Sequence, residues 1–320
     1  MRMSATGLRF SMLTTLTIII GLSTLFFAAA LSLLDAFSFS TLAIFVVGFN
    51  LVQWLIAPYI VDAMYRVKEV SRGERPELYD IVERVSQRSG ISVPRVMISN
   101  IPIPNAFAYG SPIAGTRIAV TDGLLRTLEP EEVEAVVGHE LGHIKHSDVQ
   151  VMMFVSILPA LLYYIGYSLS YSASYGNNRK NNSGAALLGS VSIGLYFVLT
   201  LLSLQLSRLR EYYADRHSAR VVDDGARKLS EALAKIVTYT GQMGRRNNVR
   251  AYSNFKALFI ADPDTAEKDA AEVVTVRGGS DQELVQRVLS RKVSTFDSFA
   301  EIFSTHPNII KRLRALQALY

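Results

Sequence analysis

Four stretches of the chain run for twenty positions or more without a charged side chain: Phe10 to Leu34, Ala36 to Val61, Val149 to Asn178 and Asn181 to Ser207. A helix needs about 20 apolar residues to cross a hydrocarbon layer of ~30 Å. Each stretch supplies them, the third mainly from Val151 to Leu169 and the fourth from Ala185 to Leu206. The pattern therefore predicts four transmembrane helices, at about 10–34, 38–61, 150–170 and 185–206. A cleaved signal peptide is the alternative for the first, since Ala28-Ala29-Ala30 resembles a cleavage site. Its apolar run is too long for that, and a second span follows after a short turn. Buried helices of a large core are the alternative for the last two, and their length and lack of charge favour spans.

The polar segments read differently. Glu77 to Gly90 has helical periodicity, with Leu78, Ile81, Val82 and Val85 on one face. Arg95 to Ser99 and Thr116 to Val120 read as strands, and Pro102, Pro104 and Gly110 punctuate a third extended piece around Ala106-Phe107-Ala108. A helix begins near Pro130, where proline suits a first helical position and Glu131 and Glu132 complement the helix dipole. It is expected to run straight on into the third span. From Glu211 to Tyr320 the pattern is mostly helical, with loops expected at 241–254 and 261–280. The organisation is thus two spans in 1–62, the first part of a polar folded domain in 63–148, two spans in 149–207 and the second part of that domain in 208–320.

Composition narrows the chemistry. Cysteine is absent, which removes disulfides, thiolate nucleophiles and Cys-type zinc sites, so any metal must be held by His, Asp or Glu. The net charge of +5 comes from basic residues flanking the apolar stretches, so it reads as orientation in a bilayer and no nucleic-acid partner is expected. Arg2, Arg9, Arg66, Lys68, Arg72, Arg75, Lys145, Arg208, Arg210, Arg216 and Arg220 lie on one side, and only Arg179 and Lys180 on the other. Both termini and the polar segments are therefore expected in the cytoplasm.

Within the helix from Pro130, His139 and His143 are four positions apart and can present two imidazoles to one metal ion, with Glu140 beside them within reach of a metal-bound water. Random occurrence of His-Glu-x-x-His in a chain of this size is on the order of 1%, so a polar face of an ordinary amphipathic helix explains it poorly. A catalytic zinc needs a third protein ligand. His146 is the near candidate, but seven residues of helix rise ~10.5 Å, too far for one coordination sphere. Glu211 follows the fourth span, on the same side as His139, and Asp215 lies one turn on, placed to fix the tautomer of a ligand histidine. On spacing alone, a metal ligand and a solvated charge at a span end fit Glu211 equally.

His139-Glu140-Leu141-Gly142-His143, Ser207-Arg208-Leu209-Arg210-Glu211-Tyr212-Tyr213-Ala214-Asp215, Pro104-Asn105-Ala106-Phe107-Ala108 and Ser304-Thr305-His306-Pro307 stand in an order that resembles the HtpX family of membrane-bound zinc metallopeptidases. The resemblance covers essentially the whole chain, except that 241–280 matches no motif of it. It implies a mostly α-helical α+β integral membrane protein, with four spans and a cytoplasmic zincin-like domain carrying a small β-sheet. It implies one zinc ion per chain on His139, His143 and Glu211, with Glu140 as the catalytic glutamate. It further implies polypeptide substrates, membrane proteins among them, and a role in membrane-protein quality control.

The developing charge on a scissile carbonyl needs a donor, and Tyr212, Tyr213, Arg208, His217 and His306 are candidates. His306 has the strongest motif context, although Thr305-His306-Pro307 reads equally as a helix start. Asn105 to Tyr109 is either a strand edge that pairs with an extended substrate or a plain structural strand. Arg245-Arg246 and Lys311-Arg312-Leu313-Arg314 read as solvated basic faces, the latter opposite a packed stripe of Ile309, Leu313 and Leu316. Two further functions remain as alternatives: a processing peptidase for lipidated or precursor proteins, against which four spans argue, and a catalytically silent scaffold, against which an intact Glu140 argues.

Overall fold

The computed structural model describes residues 39–175, 182–244, 280–291 and 293–319. The first predicted span, Arg2, Arg9, Arg179, Lys180, Arg245, Arg246 and most of the two predicted loops lie outside those residues. The chain divides into two compact units, one drawing on Leu55–Val149 and Arg210–Tyr320, the other on Ala5–Trp54 and Gln150–Leu209.

In the first unit, alternating apolar residues build a four-stranded sheet. Its strands are β1 (Val67–Glu69), β2 (Arg95–Ser99), β3 (Ala106–Ser111) and β4 (Gly115–Thr121), in the order β1-β2-β4-β3. β2 and β4 are parallel, and both outer pairs are antiparallel. Because side chains alternate faces along a strand, Val96, Ile98, Ile118 and Val120 join one core, while Met97, Phe107, Tyr109 and Ala119 join another. The first core is closed by α2 (Pro76–Ser89), α4 (Pro130–Lys145), α7 (Gly225–Gly244), α8 (Asp281–Ser290) and α10 (Ile309–Gln317). Leu78, Ile81, Val82 and Val85 form the buried face of α2, which ends on Gly90 in the left-handed region, φ 67°. Between β4 and α4 lies a short helix, α3 (Asp122–Thr127), whose N-cap Thr121 accepts the Leu124 N–H at 3.1 Å. The second core is closed by the last turn of α1 (Phe39–Met64), the helix that contains the second predicted span. There the Tyr109 hydroxyl donates to Asp62 at 2.5 Å, Arg117 pairs with the same carboxylate, and Ser99 donates to the Tyr65 carbonyl at 2.5 Å.

The second unit holds most of α5 (Asp148–Tyr175) and the apolar part of α6 (Asn182–Val221). Among the described residues, these two helices are long and apolar enough to cross a membrane. Val155 and Leu162 of α5 pack with Leu199 and Leu206 of α6. Small residues set how closely the two cross: a Cβ on Gly189 would lie 2.6 Å from Ser170 Oγ and 3.1 Å from the Gly166 carbonyl. In lipid, where apolar association has no hydrophobic driving force, such close contact is a main source of helix pairing.

Two expectations on helix boundaries are corrected. The His-motif helix does not run straight into the third span, because Ser147 adopts φ 54° and separates α4 from α5. The loop expected from Gly241 begins later, since α7 continues to Gly244 and Met243 packs against the second core.

Candidate metal centre

The site is assembled on α4. Pro130 opens the helix, and Glu129 and Glu132 form a reciprocal capping box around its first turn. Two glycines four residues apart, Gly138 and Gly142, lie where the polar end of α6 crosses. A Cβ on Gly138 would be 3.0 Å from Val222 Cγ2, and one on Gly142 would be 3.1 Å from His217 Cβ and 3.2 Å from Ala214 Cα. Ser218 Oγ also donates to the Ala135 carbonyl at 2.6 Å. This contact brings the turn carrying Glu211 and Asp215 onto the turn carrying His139 and His143.

His139 Nε2 and His143 Nε2 are 3.1 Å apart, and the Glu211 oxygens lie 3.5 Å from the first and 3.4 Å from the second. A tetrahedral ion with bonds of ~2.0–2.1 Å has edges of about 3.3 Å, which matches all three separations. The opposite ring nitrogens are held by carboxylates: His139 Nδ1 is 2.9 Å from Asp215 Oδ1, and His143 Nδ1 is 2.6 Å from Asp148 Oδ2. A ring that donates through Nδ1 carries its lone pair on Nε2. Two lone pairs and a carboxylate would then converge in a buried space, an arrangement that calls for a cation. Glu211 Oε2 is itself buried without a hydrogen-bond partner among the described residues, as expected of a metal-ligand oxygen. The residues present therefore fit a divalent metal.

Charge balance agrees. Asp215 is gripped by Arg312, whose Nε and Nη2 each donate to one carboxylate oxygen at 2.7 Å. Asp148 is paired with Arg210 at 3.0 Å. The two arginines offset the two aspartates, which leaves Glu140 and Glu211 to balance two positive charges. Burial by itself would raise the Asp215 carboxyl, but Arg312 and His139 outweigh it and hold the group below the usual carboxylate range. Burial also dominates at Glu140 and holds its carboxyl above that range, against the pull of the two imidazoles.

Glu140 Oε2 accepts the backbone N–H of Ala108 at 3.0 Å, which ties the glutamate to β3. β3 is the outermost strand. The Asn105 carbonyl accepts from Thr121 N–H, and Ala108 N–H points away from β4. Alternation therefore turns the peptide groups of Ala106, Ala108 and Gly110 to the open edge. Asn105 is fully buried, its N–H bonded to Thr121 Oγ1 at 2.9 Å.

His306, in the loop between α9 (Thr295–Ile302) and α10, is brought to the centre, with Nδ1 3.4 Å from Glu211 Oε2. Neither ring nitrogen has a hydrogen-bond partner among the described residues. Three of the other candidates have different settings. His217 Nε2 is bonded to Ser89 Oγ at 2.9 Å, Tyr213 packs edge-on against His146 at 4.2 Å, and Arg208 belongs to the span unit. His146 caps α4, its Nδ1 2.7 Å from the Gly142 carbonyl, and is no part of the ligand cluster.

One sequence reading is reversed here. Arg312 is not on a solvated basic face; it is 1% exposed and sits against Asp215 and Glu211. Ile309, Leu313 and Leu316 do form the packed stripe. Of the nine residues of α10, Arg312, next to Leu313 of the stripe, is the one that reaches the centre. Sequence reasoning also missed Asp148. On an unbroken helix it would lie about 140° round from His143 at 100° per residue, and only the break at Ser147 returns it to the ring. The pair Gly138 and Gly142, four apart, one just before the motif and one inside it, was the available signal for a close helix crossing.

Residues 72–320 match Peptidase family M48. The chain is 40% identical to a protease HtpX homolog of Thermoplasma acidophilum over 285 residues, 87% of this chain and 84% of that protein. It is 34% identical to one of Thermoplasma volcanium over 99% of this chain and 98% of that protein. With a homolog of Aeropyrum pernix the identity is 39%, over 89% and 86%. Among solved structures, the crystal structure of S. mikatae Ste24p aligns with a TM-score of 0.54 at 16% identity, over 98% of this chain and 67% of that one, a likeness of fold. A His-Glu-x-x-His helix, a carboxylate brought to it from a long apolar helix, and relatives of this kind along the whole chain place it in one group: the chain belongs to peptidase family M48 and is a membrane-associated metallopeptidase.

Proposed function

We propose that this protein is a zinc-dependent endopeptidase of the cell membrane that hydrolyses peptide bonds in misfolded or damaged membrane proteins. In this reading the chain has four spans, and its termini and centre face the cytoplasm. The observation that carries it is the triangle of His139 Nε2, His143 Nε2 and Glu211 carboxylate, with edges of 3.1, 3.4 and 3.5 Å, beside Glu140. Two imidazoles and one carboxylate suit zinc. The lopsided distribution of Lys and Arg around the apolar stretches supports the orientation.

His139, His143 and Glu211 are the ligands, and Asp215 and Asp148 orient the two rings. A bound zinc ion lowers the pKa of a water toward ~7 and polarises the scissile carbonyl. Glu140 takes up the water's proton and passes it to the leaving amine, a task suited to a carboxyl raised by burial. His306 offers a ring N–H to the charge developing on the carbonyl oxygen. The substrate lies extended along the outer edge of β3, paired with the peptide groups of Ala106 and Gly110 and with the Ala108 carbonyl, so that its backbone passes Glu140.

The test uses purified protein with zinc and an unfolded substrate such as casein, beside Glu140→Gln. Cleavage by the native protein alone is expected, with equal metal content in both. Equal cleavage by the two, or none by either, would sink the reading. A substrate trapped by Glu140→Gln and identified by mass spectrometry then separates quality control from dedicated processing of particular precursors.

A further inference from the structure

Arg312 is fully buried, yet it is neither a metal ligand nor aimed at the open strand edge. It comes from α10, almost a hundred residues beyond Asp215 in sequence, and its guanidinium fork spans both oxygens of that carboxylate at 2.7 Å. The same guanidinium lies 3.2 Å from the His139 ring nitrogens and 3.3 Å from Glu211 Oε2. An isolated charge here would be costly, because a buried ion needs both a partner and satisfied hydrogen bonds.

We propose that Arg312 is a positioning residue of the metal centre. Its fork holds Asp215 against His139 Nδ1, so that Nδ1 is the donating nitrogen and Nε2 is left for the metal. Asp215 uses both oxygens on the fork and has one of them left to share with the ring, which fixes the ring's rotation as well as its tautomer. Arg210 stands beside Asp148, the partner of His143, through a single Nε contact at 3.0 Å and not a fork. The two relays differ in origin: Arg210 is one residue from the ligand Glu211, whereas Arg312 is delivered by α10. Leu313 and Leu316 of α10 share a core with Leu229 and Leu233 of α7, so docking of this helix also completes the centre. This inference rests on the metal-centre reading above.

The experiment uses the full-length protein in detergent, stripped of metal. Zinc is titrated against a chelating competitor, and cobalt(II) is added separately so that its visible bands report ligand geometry. Arg312→Met should bind zinc 10–100-fold more weakly, the usual effect of losing a group that orients a ligand, and its cobalt bands should shift. Arg312→Lys keeps the charge without the planar fork and should lose at least tenfold. In an Asp215→Asn background, Arg312→Met should cost clearly less than it does in the native protein, because the arginine acts mainly through that carboxylate. If Arg312→Met fails to fold, Arg312→Lys and the double variant, which removes both buried charges, carry the test. Zinc affinity and cobalt bands that stay native in Arg312→Lys, or losses that multiply independently in the double variant, would overturn the assignment. Native protein that binds no stoichiometric zinc would overturn the metal centre itself, which is a different outcome from native binding that is indifferent to Arg312.

Discussion

Gly142 sits between the turn of α4 that carries His139 and His143 and the helix that carries Glu211, and replacing it tests how the proposed centre is assembled. In Gly142→Ala the new Cβ would lie 3.1 Å from His217 Cβ, 3.2 Å from Ala214 Cα and 3.3 Å from His217 Cδ2. Ordinary carbon contacts are about 3.5–4.0 Å, so α6 must move away from α4 by a few tenths of an ångström. Two energies oppose each other. Alanine gains about 1 kcal/mol of helix propensity over glycine, and overpacking costs about 1–3 kcal/mol. Net destabilisation of the fold should therefore stay at or below about 2 kcal/mol. The metal centre is less forgiving, because plausible metal–ligand distances lie within about ±0.2 Å and Glu211 moves with the turn that is displaced. Zinc affinity should fall roughly tenfold in Gly142→Ala, and further in Gly142→Val, while thermal unfolding of the metal-free protein shifts by only a few degrees. Gly138→Ala, whose Cβ meets Val222 Cγ2 at 3.0 Å and Ser218 Oγ at 3.1 Å, should cost stability with a smaller loss of zinc. Competition titration and calorimetry on the three variants check this. Native zinc affinity in a folded Gly142→Val would show that the close crossing does not place Glu211.

Other outcomes follow from the same geometry. Asp148→Ala removes the group 2.6 Å from His143 Nδ1 and should weaken zinc binding about 10–100-fold, read by chelator competition. Ser147→Pro is incompatible with φ 54° and deletes the N–H that bonds the Ile144 carbonyl, so it should abolish metal binding, measured by elemental analysis. Ala108→Pro removes the N–H given to Glu140 but no ladder bond of β3, where an edge proline is tolerated; zinc content should persist while casein cleavage falls at least tenfold. His217 lies past the apolar part of α6, and burial holds its imidazole down at about 4. Between that value and the unfolded ~6.5, the unfolded chain binds more protons, so stability falls as pH drops through this window. His217→Gln should flatten that slope in urea titrations between pH 4 and 7.

Much of this protein was legible in the amino-acid sequence because it is written in short periods. The two long apolar helices depend on twenty or so consecutive apolar residues, and α2 and the strands on repeats of about 3.6 and 2. His139, Glu140 and His143 are one helical turn apart, so their shared face follows from helix geometry alone. Their third partner was different: spacing left Glu211 open between ligand and surface charge, and resemblance to a known family was needed to favour the first. The tertiary structure decided what no local period encodes. The helix break at Ser147 swings Asp148 onto His143, two glycines admit α6 to within contact of α4, and α10 turns Arg312 inward from a face that the sequence read as a basic surface. The physical reason is common to all three. A buried charge is stable only where distant segments bring it an opposite charge at hydrogen-bond distance. That pairing is a property of three-dimensional contact, which sequence spacing does not carry.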